Sequence, residues 1–310
     1  MKRLMLVYNP RSSHFLHVKE EVIEPLRGLK GWMLGKFEVA DTDVDDNARR
    51  LAGILMDGDV VIAAGGDGTA NIAINGIMQS ARKGIRIGVL GYGNFNDTAR
   101  TFGKLKLDKI LQNIDNAKEV WPLECKINGK HWRYGMCYFT IGMFAEACAV
   151  FDRPKTRKAL RKGKKSMIFS LFELARWWFK ERKKHCFMPG FDLESAGEKR
   201  AIERGESDYM AVNGRTVAKM MRWGRYFEQK GVFLSATGRM TKFWPLVAMM
   251  MRSIFRQIPG KESDSDCLTF DEPAKMMFQA EGEYKMISGV RTIEITKVGK
   301  PLLAVVKKSK

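Results

Sequence analysis

Gly65-Gly66-Asp67-Gly68-Thr69 brings together residue types that suit one task, the cradling of phosphate. Glycines let a backbone turn tightly and let phosphate oxygens approach its N–H groups, and a following helix start adds a favourable dipole. An Asp among those glycines repels phosphate unless a cation intervenes, so Asp67 is a candidate Mg2+ holder, directly or through water. The plainer reading of the same residues is a tight turn with Asp67 capping a helix. Asn9-Pro10-Arg11-Ser12-Ser13 and Gly91-Tyr92-Gly93-Asn94 are two further polar or glycine-rich loops. The two commonest nucleotide signatures do not fit. There is no G-x-x-x-x-G-K-S/T, and Gly91-x-Gly93-x-x-Asn96 lacks the last glycine of G-x-G-x-x-G. The H-R-D and D-F-G motifs of protein kinases are absent as well.

Strands and helices must position these loops. Apolar patterning gives a strand over 3–8 closed by Asn9-Pro10, a helix near 18–29 and a short strand over 36–40. Asp41-Thr42-Asp43 resembles a helix cap, followed by helical spacing at Ala48, Leu51, Ala52 and Leu55. Residues 59–64 read as a buried strand, 70–79 as a helix, 85–90 as a strand, and 96–102 and 107–114 as short helices. This alternation implies a parallel sheet covered on both faces, with ligands at the carboxyl ends of its strands. Loops 9–13, 65–69 and 91–97 would lie there side by side. From about residue 118 the pattern changes. Residues 119–127 and 130–141 alternate like strands across an Asn128-Gly129 turn, and 208–213, 231–236, 275–280, 291–296 and 302–306 are further strand candidates. The expected fold class is therefore α/β, a doubly wound parallel-sheet domain over 1–117 and a β-rich domain with helical insertions over 118–310. The last strand of the second can return to the first.

The chain has 310 residues, 45% apolar and 29% charged, which suits a globular protein of about two domains and argues against disorder. Its formal net charge of +19 calls for a polyanionic partner: nucleic acid, anionic membrane or a phosphorylated substrate. The charge is local. Residues 153–184 hold thirteen Lys/Arg against two acids, and 215–256 hold nine against Glu228, which together match the whole excess. Cys125, Cys137, Cys148, Cys186 and Cys267 are scattered and form no C-x-x-C, as expected of reduced cytosolic thiols. His14 and His17 stand three apart without an accompanying Cys or carboxylate, so they read as a solvated helix start and not a metal site. The short apolar stretch Leu4 to Tyr8 reads as a first strand, not a signal peptide, and no apolar run is long enough for a transmembrane helix.

Four motifs occur in order: Asn9-Pro10-Arg11-Ser12-Ser13, Gly65-Gly66-Asp67-Gly68-Thr69-Ala70-Asn71, Gly93-Asn94-Phe95-Asn96-Asp97-Thr98-Ala99-Arg100 and Glu281-Gly282-Glu283. Together they resemble the diacylglycerol kinase catalytic family, which includes sphingosine kinases and bacterial lipid kinases. Its pattern is N-P-x-S/A-G, G-G-D-G-T-x-N, G-T-x-N-D-F/L-A-R and D-G-E. The resemblance covers nearly the whole chain and implies a lipid/NAD kinase-like fold of two domains, α/β plus β-sandwich, with ATP in the cleft between them. It implies ATP contacts from Asn9, Pro10, Arg11, Ser12, Ser13, Thr42, Gly65, Gly66, Asp67, Gly68, Thr69, Asn94 and Glu283. It places Asp67, with Asp97, on Mg2+; Asn96, Asp97 and Arg100 on the substrate side; and Glu281 and Asp67 as catalytic. The implied activity is transfer of the γ-phosphate of ATP to the hydroxyl of diacylglycerol or a related lipid.

The departures bear on that activity. Glu281 stands where the resemblance puts the aspartate that serves as general base, so a carboxylate is kept one methylene further from its backbone. Asn94 replaces a Thr and can still donate to a phosphate oxygen. Ser13 replaces a Gly. Gln229-Lys230-Gly231 matches a stretch that in bacterial members often lies near a structural Mg2+, and the Lys230 ammonium would stand in for that ion. Two alternatives stay open: a nucleotide- and membrane-binding member weakened in catalysis, and an NAD kinase-like enzyme, whose paired Asn-Glu is not found.

The basic segments fit a lipid kinase that works at a membrane surface. In 166–180, Ile168, Leu171, Phe172, Ala175, Trp178 and Phe179 form one apolar helical face opposite Glu173, Arg176 and Lys180. Residues 215–256 add Trp223, Trp244 and six methionines. The expected partners are a membrane lipid and an anionic membrane surface met through 153–184 and 215–256, with no nucleic acid. The expected location is cytoplasmic and peripheral at the inner face of the membrane. Exposed strands in the second domain leave a homodimer open.

Overall fold

The computed structural model describes residues 2–152, 172–173, 175–181, 183, 189–205, 208–217, 221–222, 224–238, 242–244, 248 and 260–307. In chain order the strands are β1 (Lys2–Tyr8), β2 (Trp32–Glu38), β3 (Val60–Gly65), β4 (Arg86–Gly91), β5 (Lys118–Val120), β6 (Leu123–Ile127), β7 (Lys130–Gly135), β8 (Tyr138–Ile141) and β9 (Phe191–Ser195). They continue as β10 (Glu198–Ile202), β11 (Asp208–Val212), β12 (Thr216–Val217), β13 (Met221–Arg222), β14 (Phe233–Gly238), β15 (Lys261–Ser263), β16 (Ser265–Ala280), β17 (Glu283–Lys297) and β18 (Leu302–Ala304). The helices are α1 (Phe15–Val18), α2 (Glu24–Arg27), α3 (Val44–Ile54), α4 (Asp67–Gln79), α5 (Asp97–Phe102), α6 (Leu107–Asn113) and α7 (Met143–Asp152). A π turn over Lys19–Ile23 joins α1 to α2.

The first sheet runs β2-β1-β3-β4-β18-β5, parallel except where β18 meets β5. Its alternation is two-sided. Met5, Val7, Val61, Ala63 and Ile87 pack with Leu51 of α3 and Ala70, Ala73 and Ile74 of α4. Leu4, Leu6, Val60, Ile62 and Leu90 pack instead with Val18, Val22, Leu26 and Ile110. A strand buried on both faces must be apolar at every position, and all six residues of β3 are buried. The doubly wound domain expected from the sequence is present. Leu302–Ala304 inserts between β4 and β5, so the end of the described chain completes this sheet.

The second sheet is antiparallel and ten-stranded, and it bends around a core that includes Phe139, Tyr209, Phe233, Phe278 and Ile293. β16 carries the bend: its first half pairs with β9 and its last three residues with β8. A bulge between Thr269 and Ala274 contains Pro273, which has no N–H for the ladder. The Asn128-Gly129 turn is real, with φ of 51° and 72°, the left-handed pair that a two-residue hairpin requires. Two expected strands are each split. The 119–127 stretch divides at Trp121-Pro122, where proline cannot sustain pairing. The 130–141 stretch divides at Met136-Cys137, whose amides turn toward Glu281.

The apolar helix face expected in 166–180 is only partly realised. Residues 175–181 are helical, and Trp177 and Trp178 are buried against Met143 and Val150. Phe172, Ala175 and Phe179 are exposed, because the adjacent tryptophans turn the buried face away from the expected stripe. Ile168 and Leu171 lie outside the described residues, as does most of 153–184 and 215–256. Among the described residues no helix is long and apolar enough to cross a membrane.

Candidate active site

The carboxyl ends of β1, β3 and β4 open on a cleft of about 660 Å3 whose opposite wall is the β16–β17 turn. It is lined by Asn9, Arg11, Ser12, Ser13, Thr42, Gly66, Asp67, Gly68, Thr69, Asn94, Glu281 and Glu283, which the sequence scatters over the whole chain. Pro10, Gly65, Asn96, Asp97 and Arg100 stand outside the lining. Gly65 accepts the Tyr92 N–H at 2.7 Å, and Arg100 donates to the Phe95 carbonyl at 2.9 Å, so both hold loop backbone in place.

Two loops of this wall touch backbone to backbone. A Cβ on Gly93 would stand 2.5 Å from the Gly66 Cα, so Gly93 must be glycine for this close approach, and a Cβ on Gly66 would press on Gly93 at 3.3 Å. Asn96, held left-handed at φ 56°, accepts the Gly93 N–H at 2.6 Å and donates to the Gly93 carbonyl at 2.7 Å. The N-cap of α4 is Gly66, which offers the first-turn amides no side-chain acceptor. Those amides and the helix dipole form an anion-binding helix start. Asp67 is not the cap; its carboxylate reaches across to accept the Thr98 N–H at 3.0 Å. The Glu283 carboxylate lies over the same helix start, 2.5 Å from where a Gly68 Cβ would be.

At the edge of the cleft, Asn9 accepts the Arg11 N–H at 2.9 Å and the Arg11 guanidinium pairs with Asp41 at 2.5 Å. Thr42 accepts from Asn47 at 3.0 Å, fixing its hydroxyl beside the cap of α3, where Asp43 accepts the Asp46 N–H at 2.8 Å.

The floor is a carboxylate cluster. Glu281 is fully buried at φ 51°. One oxygen accepts the Met136 N–H and the Cys137 N–H, the latter at 2.6 Å; the other accepts the Thr98 hydroxyl at 3.3 Å. Burial drives its carboxyl up to about 7, against those hydrogen bonds, and nearby Asp97 adds to the rise. Burial, Asp97 and Glu281 push Asp67 above the ordinary carboxylate range, while the Thr98 amide opposes them. Asp97 is wholly buried and takes hydrogen bonds from the Thr216 hydroxyl at 2.9 Å and the Tyr138 hydroxyl at 3.4 Å. Like charges this close favour protonation or a cation.

A Mg2+ fits this set through Asp67, which faces the cleft, but not through Asp97, which lies outside the lining with both oxygens engaged. Among the described residues no three His, Cys, Asp or Glu are grouped for a metal. One carboxylate with ligand phosphates is a usual Mg2+ arrangement. The motifs include Thr98 without giving it a role, and they do not reach Tyr138, the Met136 and Cys137 amides, or Arg133. Arg133 lines the cleft, is buried, and grips Asp45 through Nε at 3.0 Å and Nη2 at 2.7 Å. Thr98 sits inside the third motif at the start of α5, whereas Arg133 and Tyr138 on β7 and β8 and the Met136-Cys137 link between them carry no sequence signal until the strands are paired.

Lys230 is exposed in a turn. The ammonium held inside the second domain is Lys297, which donates to the Tyr226 carbonyl at 2.8 Å, the Trp121 carbonyl at 3.1 Å and Asn213 Oδ1. Burial pulls it down to about 7 from an ordinary 10.5. A lowered lysine costs stability at and below about pH 7, and that cost lifts as pH rises toward the ordinary value. The wild type is therefore expected to gain on Lys297→Met between pH 7 and 9, by at most about 1.4 kcal/mol per pH unit. Urea midpoints at both pH values check this, and parallel pH profiles would refute it.

A glycine-rich loop at a parallel-sheet end, a bare helix start and a facing carboxylate pair meet on one cleft between the parallel and the antiparallel sheet. Residues 3–123 match the model of the diacylglycerol kinase catalytic domain. The chain is 33% identical over 144 residues to diacylglycerol kinase of Bacillus subtilis (strain 168), covering 43% of this chain and 44% of that protein. It is 32% identical over 108 residues to sphingoid long-chain bases kinase 1 of Arabidopsis thaliana, covering 32% and 14%. The matched stretch thus spans less than half of these relatives. The fold likeness is wider: a solved structure of a diacylglycerol kinase from Bacillus anthracis str. Sterne has TM-score 0.64 at 16% identity, covering 99% of this chain and 97% of that one.

Proposed function

We propose that this chain is an ATP-dependent lipid kinase that transfers the γ-phosphoryl group to the hydroxyl of diacylglycerol or a related lipid at a membrane surface. The observation that carries this reading is the meeting of Asp67 and Glu281, more than two hundred residues apart in sequence, on one phosphate cleft of a kinase family. ATP phosphates rest on loops 9–13 and 65–69 and on Gly93-Asn94, with the α4 start supplying N–H donors. Asp67 is the residue that would hold a Mg2+ entering with the nucleotide, which would supply charge neutralisation to the phosphates. Glu281 accepts the proton of the lipid hydroxyl on the oxygen that faces Thr98. Thr98 bridges the two carboxylates, its amide to Asp67 and its hydroxyl to Glu281, and so sets their spacing. The test is radiolabelled ATP with mixed micelles of lipid extract: a phosphorylated lipid supports the reading. ATP binding with no labelled lipid would favour the non-catalytic alternative, and labelled NAD the NAD kinase alternative.

The lipid is met in a bilayer, and one described surface suits that. Phe172, Phe179, Phe243 and Trp244 are 64%, 55%, 44% and 75% exposed, which is far too much for core residues. Phe179 and Phe243 stack with centroids 6.5 Å apart, and Trp244 meets Phe243 at 5.3 Å, so these three form one patch. Arg176, Lys180, Lys183 and Lys242 are exposed around it. Aromatics at headgroup depth with flanking cations favour an anionic interface, peripherally and on the cytoplasmic side. The double variant Phe179→Ala/Trp244→Ala is expected to bind phosphatidylglycerol vesicles roughly tenfold more weakly in sedimentation. Unchanged binding would remove the patch from the interface.

A further inference from the structure

The first domain carries a second cavity, of about 410 Å3, that shares no lining residue with the phosphate cleft. Five lysines line it, Lys104, Lys106, Lys109, Lys118 and Lys307, beside Asn113 and Asn116, and no carboxylate belongs to the lining. These come from three separate stretches of chain, so tertiary structure has gathered them. Over 1–117 the formal charge is close to balanced and gives no hint of them.

The wall is built, not incidental. Lys307 follows β18 and is tied by its N–H to the Phe102 carbonyl at 2.9 Å, at the end of α5. Gly103 and Lys104 are both left-handed, at φ 102° and 51°, and the Lys104 N–H closes on the Ala99 carbonyl at 2.7 Å. A Cβ on Gly103 would lie 2.3 Å from the Lys307 Cβ, so the two backbones meet as closely as glycine permits. A non-glycine residue held left-handed costs energy that the surrounding structure must sustain. Five exposed lysines border one hollow with no carboxylate in its lining, a clustering of positive charge that favours a polyanion.

We propose that this cavity is a second anion site, selective for a ligand with clustered phosphate groups. It stands whether or not the lipid-kinase reading holds. The phosphates can belong to a soluble molecule or to a lipid headgroup. A neighbouring hollow shares Lys104, Leu105 and Lys106 with the cavity; Pro25, Leu105 and Leu107 give it apolar surface for the second source, and Glu21 and Asp108 also line it.

The experiment uses the full chain with its phosphate cleft saturated by a non-hydrolysable ATP analogue. Calorimetric titration with inorganic pyrophosphate is one arm, and sedimentation with vesicles containing phosphatidic acid is the other. Two variants are compared with the wild type, Lys106→Gln/Lys118→Gln and Lys106→Glu/Lys118→Glu. These side chains are exposed, so the fold should survive, and a thermal melt checks it. The expected result is one further pyrophosphate site, weakened at least about tenfold in the Gln variant and lost in the Glu variant. Loss confined to the vesicle arm assigns the site to a headgroup, and loss in the pyrophosphate arm assigns it to a soluble ligand. Wild-type affinity in both variants, or no site beyond the cleft in either arm, overturns the proposal.

Discussion

Asp67→Asn is expected to lower kcat/KM for phosphoryl transfer by at least about 10^3-fold, roughly 4 kcal/mol of transition-state stabilisation. The substitution is chosen for its geometry. Asn keeps an oxygen for the Thr98 N–H that Asp67 accepts at 3.0 Å, so the contact between α4 and α5 survives. What is lost is the negative charge facing the cleft. Phosphoryl transfer depends mainly on positioning and charge neutralisation, so the group that would hold a cation on the phosphates should matter more than any other. Stability provides the internal control. Burial, Asp97 and Glu281 raise the Asp67 carboxyl, so its ionised form burdens the folded state above the ordinary carboxylate range. At pH 8 the Asn variant should therefore melt no lower than wild type, and higher if repulsion dominates. Activity within tenfold of wild type would place the cation elsewhere. Lost activity with a collapsed melting curve would make Asp67 structural.

The parts of this site that a sequence can reveal are those set by local backbone. Gly65 to Thr69 follow an all-apolar strand, and a glycine-rich turn between a buried strand and a helix has few other uses. The Asn128-Gly129 turn was legible for a similar reason, since left-handed geometry at both positions selects those residues. The expected strand over 130–141 failed at Met136-Cys137 because a partner 144 residues away competes for the Cys137 N–H, and pairing at that distance leaves no periodic trace. The helix face in 166–180 failed differently. Trp177 and Trp178 are buried while Phe172 and Phe179 are exposed, so the buried face is rotated by about one residue from the expected stripe. Charge was misleading by averaging: two basic segments carry the formal excess, yet five lysines converge in the domain that looked neutral. Lys297 and Lys230 show the same limit. Both are lysines near a junction, and only the fold says that one is buried among carbonyl oxygens while the other faces water.

Glu281→Gln is expected to leave activity, reduced by roughly 10- to 100-fold, and to change the shape of the pH profile. With its carboxyl raised to about 7 by burial, Glu281 is ionised in only about a tenth of molecules at pH 6. A base must be ionised to accept a proton, so wild-type kcat/KM should climb about tenfold per pH unit below 7 and level off above it. Gln retains an oxygen for the Met136 and Cys137 amides and an NH2 group near the Thr98 hydroxyl, so the buried floor stays paired while proton acceptance is lost. The acid limb should vanish with it, leaving a low and flat rate across pH 6 to 8. Glu281→Asp probes reach. Its carboxylate withdraws by one methylene from two buried N–H groups, and leaving them unpaired costs about 1–3 kcal/mol each. Lower thermal stability with the acid limb preserved is the expected result for Asp. If Gln instead retains the acid limb near pH 7, another group takes the proton, and Glu281 serves only to anchor the Met136-Cys137 turn beneath the cleft.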